Sequence, residues 1–216
     1  MDAIQLIERD HREVERLFGA FDRAARAGDV REQARLAREI TRELSVHAAI
    51  EEQVLYPALR RAGVEAERLD ALEDHHAVKV LLSELDALGP RAERFAPKVR
   101  LVARSVRRHV EEEESELLPR LRQALGDDEL RSMGEELARA RRAAPTRPHP
   151  LAPDTPPANV VANAAAALLD RSRDALLEAA EVLRAMAEQG AWRSARAARE
   201  AASRVRTGGR AAVEQA

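Results

Sequence analysis

A chain of 216 residues can bury one sizeable core and carry an appendage, or split into two small domains. It has no cysteine, which rules out disulfides, thiolate metal sites and iron–sulfur clusters, and its net charge of −2 gives no global signal for a polyanionic partner. Much of the 45% apolar content is alanine, aromatics make up 2% and charged residues 34%, so composition points to helix throughout. The first residues, Met1 to Gln5, lack the basic segment and apolar run of a signal peptide. No stretch approaches the roughly eighteen apolar residues that a membrane span needs. The expectation is a cytoplasmic protein with no membrane span.

Residues 2–27 are predicted as the first helix, with Ile4, Ile7, His11, Val14, Leu17, Phe18 and Phe21 on one stripe. Gly28-Asp29 closes it and opens the second, 30–62, whose stripe holds Leu36, Ile40, Leu44, His47, Glu51, Val54, Leu55 and Ala58. Pro57 is expected to kink its last turn. The third helix spans 65–88 with Leu69, Leu72, His75, Val78, Leu82 and Leu85 in register, and Gly89-Pro90 breaks the chain after it. The fourth spans 91–125 with Val99, Val102, Val106, His109, Glu113, Leu117 and Leu121 inward, and Pro119 as a second kink.

An internal repeat runs through these helices. Asp10-His11-Arg12-Glu13-Val14 matches Asp74-His75-His76-Ala77-Val78, a shift of 64, and His47 to Pro57 matches His109 to Pro119, a shift of 62. Each half is a helix pair with one histidine on its first helix and a His-x-x-x-Glu pair on its second. Residues four apart share a helical face. Two such hairpins predict an all-α, up-down-up-down four-helix bundle over residues 1–142, its halves related by a pseudo-twofold axis.

Residues 127–142 predict a short fifth helix capped at Asp127. The proline-dense segment 143–157 reads as an extended linker. Residues 158–216 form an Ala/Arg-rich helical extension, with Val161, Leu168, Leu169, Leu176, Leu183 and Met186 as its stripe, a break at Gly190, then Trp192 and an arginine-rich arm. So little apolar bulk leaves the extension three outcomes: docking on the bundle, homodimer pairing with a second copy, or partial mobility. Acids are interspersed among its arginines, so no nucleic-acid partner is expected.

The inward stripes carry six groups foreign to an apolar core: His11, His47, Glu51, His75, His109 and Glu113. Burying them unpaired costs several kcal/mol each. Two divalent cations would compensate, three ligands coming from each half, and imidazole with carboxylate suits iron, manganese or zinc. His75 rather than His76 is expected at the site, because it aligns with His11 and shares the stripe of Leu72, Val78 and Leu82. The acids next to each pair, Glu52, Glu111, Glu112 and Glu114, read chiefly as solvated. His149, in the linker, is not expected to ligate.

Those motifs together resemble the hemerythrin-like family, in particular its bacterial HHE cation-binding domains. The resemblance covers roughly residues 1–142 and rests on Asp10 to Val14, on His47-Ala48-Ala49-Ile50-Glu51-Glu52-Gln53-Val54-Leu55-Tyr56-Pro57, on Asp74-His75-His76, and on His109-Val110-Glu111-Glu112-Glu113-Glu114. It implies a non-haem di-iron centre, oxo- or hydroxo-bridged, on His11, His47, Glu51, His75, His109 and Glu113. Oxygen-carrying hemerythrins have a histidine pair on the third helix and a final aspartate; this chain has His75 with Lys79, and Glu113. The departure implies peroxide, nitric oxide or iron handling rather than reversible oxygen transport.

The expected ligand is therefore a small diatomic or peroxide, and the expected activity, if catalytic, is peroxide disproportionation or nitric-oxide handling, in keeping with oxidative stress. The other reading is an iron or redox sensor, or an iron store, that signals through the tail. Tyr56, the sole tyrosine, is expected either to pack at the helix end or to set its hydroxyl beside the metals.

Overall fold

The computed structural model describes the backbone of residues 1–63 and 66–213, and all side chains but those of 64–67, 181 and 188–216. The described helices are α1 (Ala3–Arg26), α2 (Val30–Ile50), α3 (Tyr56–Arg61), α4 (Ala66–Asp86), α5 (Phe95–Glu112), α6 (Leu118–Ala124), α7 (Asp127–Ala143) and α8 (Ala158–Val213). Two π-helical turns, Glu51–Leu55 and Glu113–Leu117, join α2 to α3 and α5 to α6. The chain forms two units, Met1–Arg171 and Ser172–Ala216.

Local chemistry sets the helix ends. The Asp2 carboxylate accepts the Gln5 amide at 2.9 Å and the Gln5 side chain accepts the Asp2 amide at 3.2 Å, a reciprocal cap. At the other end of α1, Gly28 takes φ 68°. That left-handed residue lets Asp29 donate back to the Ala24 carbonyl at 3.0 Å and Gly28 to Ala25 at 3.2 Å. Asp29 then caps α2 by accepting the Glu32 amide at 3.0 Å.

The first unit is a four-helix bundle. α1 packs on α2 and α5, and α4 packs on α5 and α2, so neighbours run antiparallel around the core. α7 lies outside the bundle against α1, α2 and the first π-turn. It starts after Gly126, whose amide donates to Glu129 at 3.0 Å, so Gly126 rather than Asp127 holds the cap position. Its Leu130, Met133 and Leu137 are buried.

The core has two apolar halves. One gathers Val14, Leu17, Phe18, Phe21, Ile40, Leu44, Leu82, Val99 and Val102; the other gathers Ile4, Ile7, Ile50, Leu55, Leu59, Leu72, Leu117, Leu121 and Leu130. Along each of the four helices the predicted polar residues fall between these halves. The stripes of α1, α2 and α5 are buried as expected, whereas Leu69 on α4 is exposed.

The two expected proline kinks are π-turns. The Tyr56 amide reaches back five residues to the Glu51 carbonyl, and Leu118 likewise to Glu113. Pro57 and Pro119 then sit in the first turn of the helix that restarts, where a missing N–H costs nothing.

The proline-dense segment is not an extended spacer. Asp170, itself buried, accepts the Thr146 and Arg147 amides at 3.0 Å each and the His149 ring at 3.1 Å, folding the segment back on the first unit. The start of α8 is turned opposite to its apolar pattern. Asn159, Asn163, Ala167 and Asp170 are buried, while Val161, Leu168 and Leu169 are exposed. In the second unit Leu176, Leu183 and Met186 are exposed. α8 continues through Gly190, where a break was expected, and the side chains of Trp192 and the arginine arm lie outside the described residues. No helix among the described residues is long and apolar enough to cross a membrane.

Candidate metal centre

All six predicted groups meet at one level of the bundle, buried between the two apolar halves. His11 comes from α1, His47 from the end of α2, His75 from α4 and His109 from the end of α5; Glu51 and Glu113 open the two π-turns. His75 is buried and its neighbour His76 is exposed, which follows from the turn of about 100° between successive helical residues.

The histidines pair by half. The rings of His11 and His47 lie 4.9 Å apart, and those of His75 and His109 lie 4.7 Å apart. Glu51 joins the pairs: one oxygen is 3.1 Å from His47 Nε2 on its own chain segment, the other 3.2 Å from His75 Nε2 across the core. Glu113 reaches both pairs through a single oxygen, 3.2 Å from His11 Nε2 across the core and 3.8 Å from His109 Nε2 one turn back. Ligand atoms of His11, His47, Glu51 and Glu113 come within 4.8 Å of one another, as do those of Glu51, His75 and His109. Glu51 belongs to both groups.

A second layer holds the imidazoles. His11 Nδ1 lies 2.7 Å from Glu114, and His75 Nδ1 lies 3.1 Å from Glu52. His109 Nδ1 faces Asp74 at 4.0 Å. Glu52 and Glu114 thus bind histidine rings rather than water alone, and Lys79 pairs with Glu52. The signal available in the sequence was the repeat itself: both acids follow the metal-type glutamate, in equivalent places 62 residues apart. Tyr56 is fully buried, with its hydroxyl 3.0 Å from His75 Nε2.

The electrostatics call for positive charge. Burial disfavours charge on His11 and His75, yet contacts with Glu113 and with Glu51 and Glu52 hold their pKa values up at about 9 and about 10. Burial, reinforced by Glu113, raises Glu51 to about 8. Burial also pushes Glu113 upward, but His11 and the other imidazoles outweigh it and hold it below the ordinary range. Burial, with the neighbouring imidazoles, drives His47 well below its usual value and His109 to about 4.

Hydrogen bonding leaves the same atoms unsatisfied. His11 Nε2, both ring nitrogens of His47 and all four oxygens of Glu51 and Glu113 are buried with no hydrogen-bond partner. Their imidazole–carboxylate contacts of 3.1–3.8 Å pair charge without a hydrogen bond, which leaves buried groups poorly satisfied. All are metal-ligating atom types, and their imidazole and carboxylate chemistry fits iron, manganese or zinc. The residues present therefore fit a bound metal cation.

A small cavity of about 30 Å³ lies against the four histidines, walled by Val14, Leu44, Val78, Leu82 and Val106. It has room for roughly two heavy atoms. Ser45 lines it with a buried hydroxyl that has no hydrogen-bond partner.

Residues 2–121 match the family model of the hemerythrin HHE cation binding domain. An uncharacterized hemerythrin-like protein of Schizosaccharomyces pombe is 29% identical over 171 residues, 78% of this chain and 83% of that protein. A protein of Nostoc named as a DNA nickase is 29% identical over 141 residues, 65% of this chain but 39% of its own length. Among solved structures, a hemerythrin HHE cation-binding domain-containing protein from Mycobacterium kansasii superposes with a TM-score of 0.58 at 24% identity, covering 66% of this chain and 86% of that one. That likeness concerns the fold.

Proposed function

Since the chain belongs to the hemerythrin HHE cation-binding domain family, we propose that it holds a non-haem di-iron centre that binds or reacts with a small oxidant such as peroxide, dioxygen or nitric oxide. His11 and His47 would hold one ion and His75 and His109 the other, with Glu51 shared and Glu113 beside His11. The observation that carries this reading is the convergence of orphaned ligand atoms of both halves on one buried level.

When bound, two irons would supply Lewis acidity and a store for two electrons. The chain supplies the rest. Its valine and leucine walls exclude bulk water and limit the ligand to a few atoms. Burial, with the carboxylates Glu51, Glu113 and Glu52 nearby, holds the Tyr56 pKa well above its usual value, so its hydroxyl stays a hydrogen-bond donor beside His75. Ser45 offers a hydroxyl in the cavity wall.

The test is metal analysis with absorption spectroscopy on aerobically purified protein, followed by oxygen release from peroxide. Two irons per chain and steady oxygen release that is lost in His47→Ala support the reading. Iron-loaded protein inert toward peroxide removes the disproportionation and favours the iron-sensing or storage role. Zinc alone removes both.

A further inference from the structure

The two halves of the site are built alike but finished differently. In each, the first-helix histidine is held at Nδ1 by an acid of the other half: His11 by Glu114 and His75 by Glu52. The Glu114 side chain is 43% exposed, whereas that of Glu52 is 2% exposed. What closes over Glu52 is the segment that follows the bundle. Lys79 Nζ lies 2.8 Å from Glu52 Oε1 and 2.6 Å from Asp154 Oδ1. Asn159, fully buried, donates through Nδ2 to the Glu52 carbonyl and to the Asp154 carbonyl, each at 3.3 Å.

The Asn159 contact has a reason in the backbone. In the first π-turn the Tyr56 amide goes to the Glu51 carbonyl, and Pro57 has no amide to give. The helix ladder therefore leaves the Glu52 carbonyl without these donors. A buried carbonyl requires one, and Asn159 brings it from 107 residues away. Glu52 is thus fixed at its backbone by Asn159, outside the four-helix bundle, and at its carboxylate by Lys79 of α4, which Asp154 holds in turn.

We propose that Asp154 and Asn159 are positioning residues of the metal centre. Through Lys79 and the Glu52 backbone they lock Glu52 onto His75, and so make the position of His75 and His109 the tighter of two otherwise equivalent metal positions. The inference rests on the proposed metal binding and adds a role for residues beyond the bundle. The physical argument is orientation. A histidine whose second nitrogen is held by a fixed carboxylate presents its ligating nitrogen in one pose, and such outer partners are worth about 10–100-fold in metal affinity. Asp154 matters because it takes up the Lys79 charge. Without it, Lys79 has only Glu52 to neutralise it and draws that carboxylate away from His75. Glu114, open to solvent, gives His11 a looser hold.

The experiment is a cobalt(II) titration of the full chain, read by d–d absorption, which reports the ligand field of each ion. Native protein is expected to take up two ions of unequal affinity. Asp154→Asn, an isosteric change, and Asn159→Ala are each expected to weaken one ion by about 10–100-fold, the same ion that His75→Ala abolishes. Asp154→Glu restores it, and Glu114→Gln weakens the other. A purely structural role for the segment would instead lower the melting temperature of the metal-free protein and weaken both ions together, which overturns the proposal. Two cobalt ions bound with native affinity and spectrum in both Asp154→Asn and Asn159→Ala also overturn it, and leave the metal reading standing. A native protein that takes up no cobalt overturns the metal reading itself.

Discussion

His75 receives its Nδ1 partner, Glu52, from the opposite half of the repeat at 3.1 Å. The converse contact, His11 with Glu114 at 2.7 Å, makes the exchange reciprocal. Neither helix pair can therefore supply the Nδ1 partner of its own first-helix histidine. The halves are alike in sequence and complementary in space, so the centre forms only when the hairpins dock.

Glu51 is expected to decide metal stoichiometry. It lies in both groupings of ligand atoms, while His109 lies in one. Glu51→Ala is expected to reduce bound iron from two ions per chain to near zero, and His109→Ala to leave one. Metal-to-protein ratio after anaerobic iron loading and gel filtration checks this. Equal losses in the two variants would show that Glu51 is not shared.

Tyr56 is expected to separate metal binding from ligand chemistry. Its hydroxyl stands 3.0 Å from His75 Nε2, yet phenol is not needed to complete either group of ligand atoms. Tyr56→Phe is expected to keep both ions and to weaken or slow the response to peroxide or nitric oxide by the worth of one hydrogen bond, about 0.5–1.5 kcal/mol. Stopped-flow absorption on the iron-loaded variant measures it. Loss of metal instead would place Tyr56 among the groups that hold the ions.

Gly134 is where α7 meets the chain's beginning. A Cβ there would come within 2.6 Å of the Met1 carbonyl oxygen and 2.9 Å of the Asp2 carbonyl carbon, both backbone atoms. Helix propensity favours alanine over glycine by about 1 kcal/mol, but overpacking of this kind costs about 1–3 kcal/mol. Gly134→Ala is expected to lower Tm by a few degrees, at about 2–4 °C per kcal/mol for a chain of this size, with metal content unchanged. A thermal melt that rises in Gly134→Ala contradicts the close approach.

Much of the fold and the site could be read along the chain. Heptad-like spacing placed His11, His47, His75 and His109 on the same faces as valine and leucine, and the shifts of 64 and 62 identified the two hairpins. The spacing of four kept each glutamate with its histidine. This worked because a helical period fixes the face a residue shares with its own neighbours. It separated His75 from His76, and it failed for Leu69, near the start of α4, which shares the stripe but is exposed.

What only the tertiary structure decided is what each face meets. Glu52 and Glu114 lie beside the ligand-type glutamates, and nothing local to them names His75 or His11 as partners. The π-turns turn on a hydrogen bond displaced by one residue, which the sequence registers only as a proline downstream. The start of α8 turns Asn159, Asn163 and Asp170 inward and Val161 and Leu169 outward, against its own apolar pattern. Its buried polar groups answer a carbonyl left over at Glu52 and amides of the folded-back 144–150 segment. Amino-acid order determined the helices and the six residues they carry inward. Docking determined which histidine each carboxylate holds and which half of the site is closed, because those contacts join residues that share no helical period.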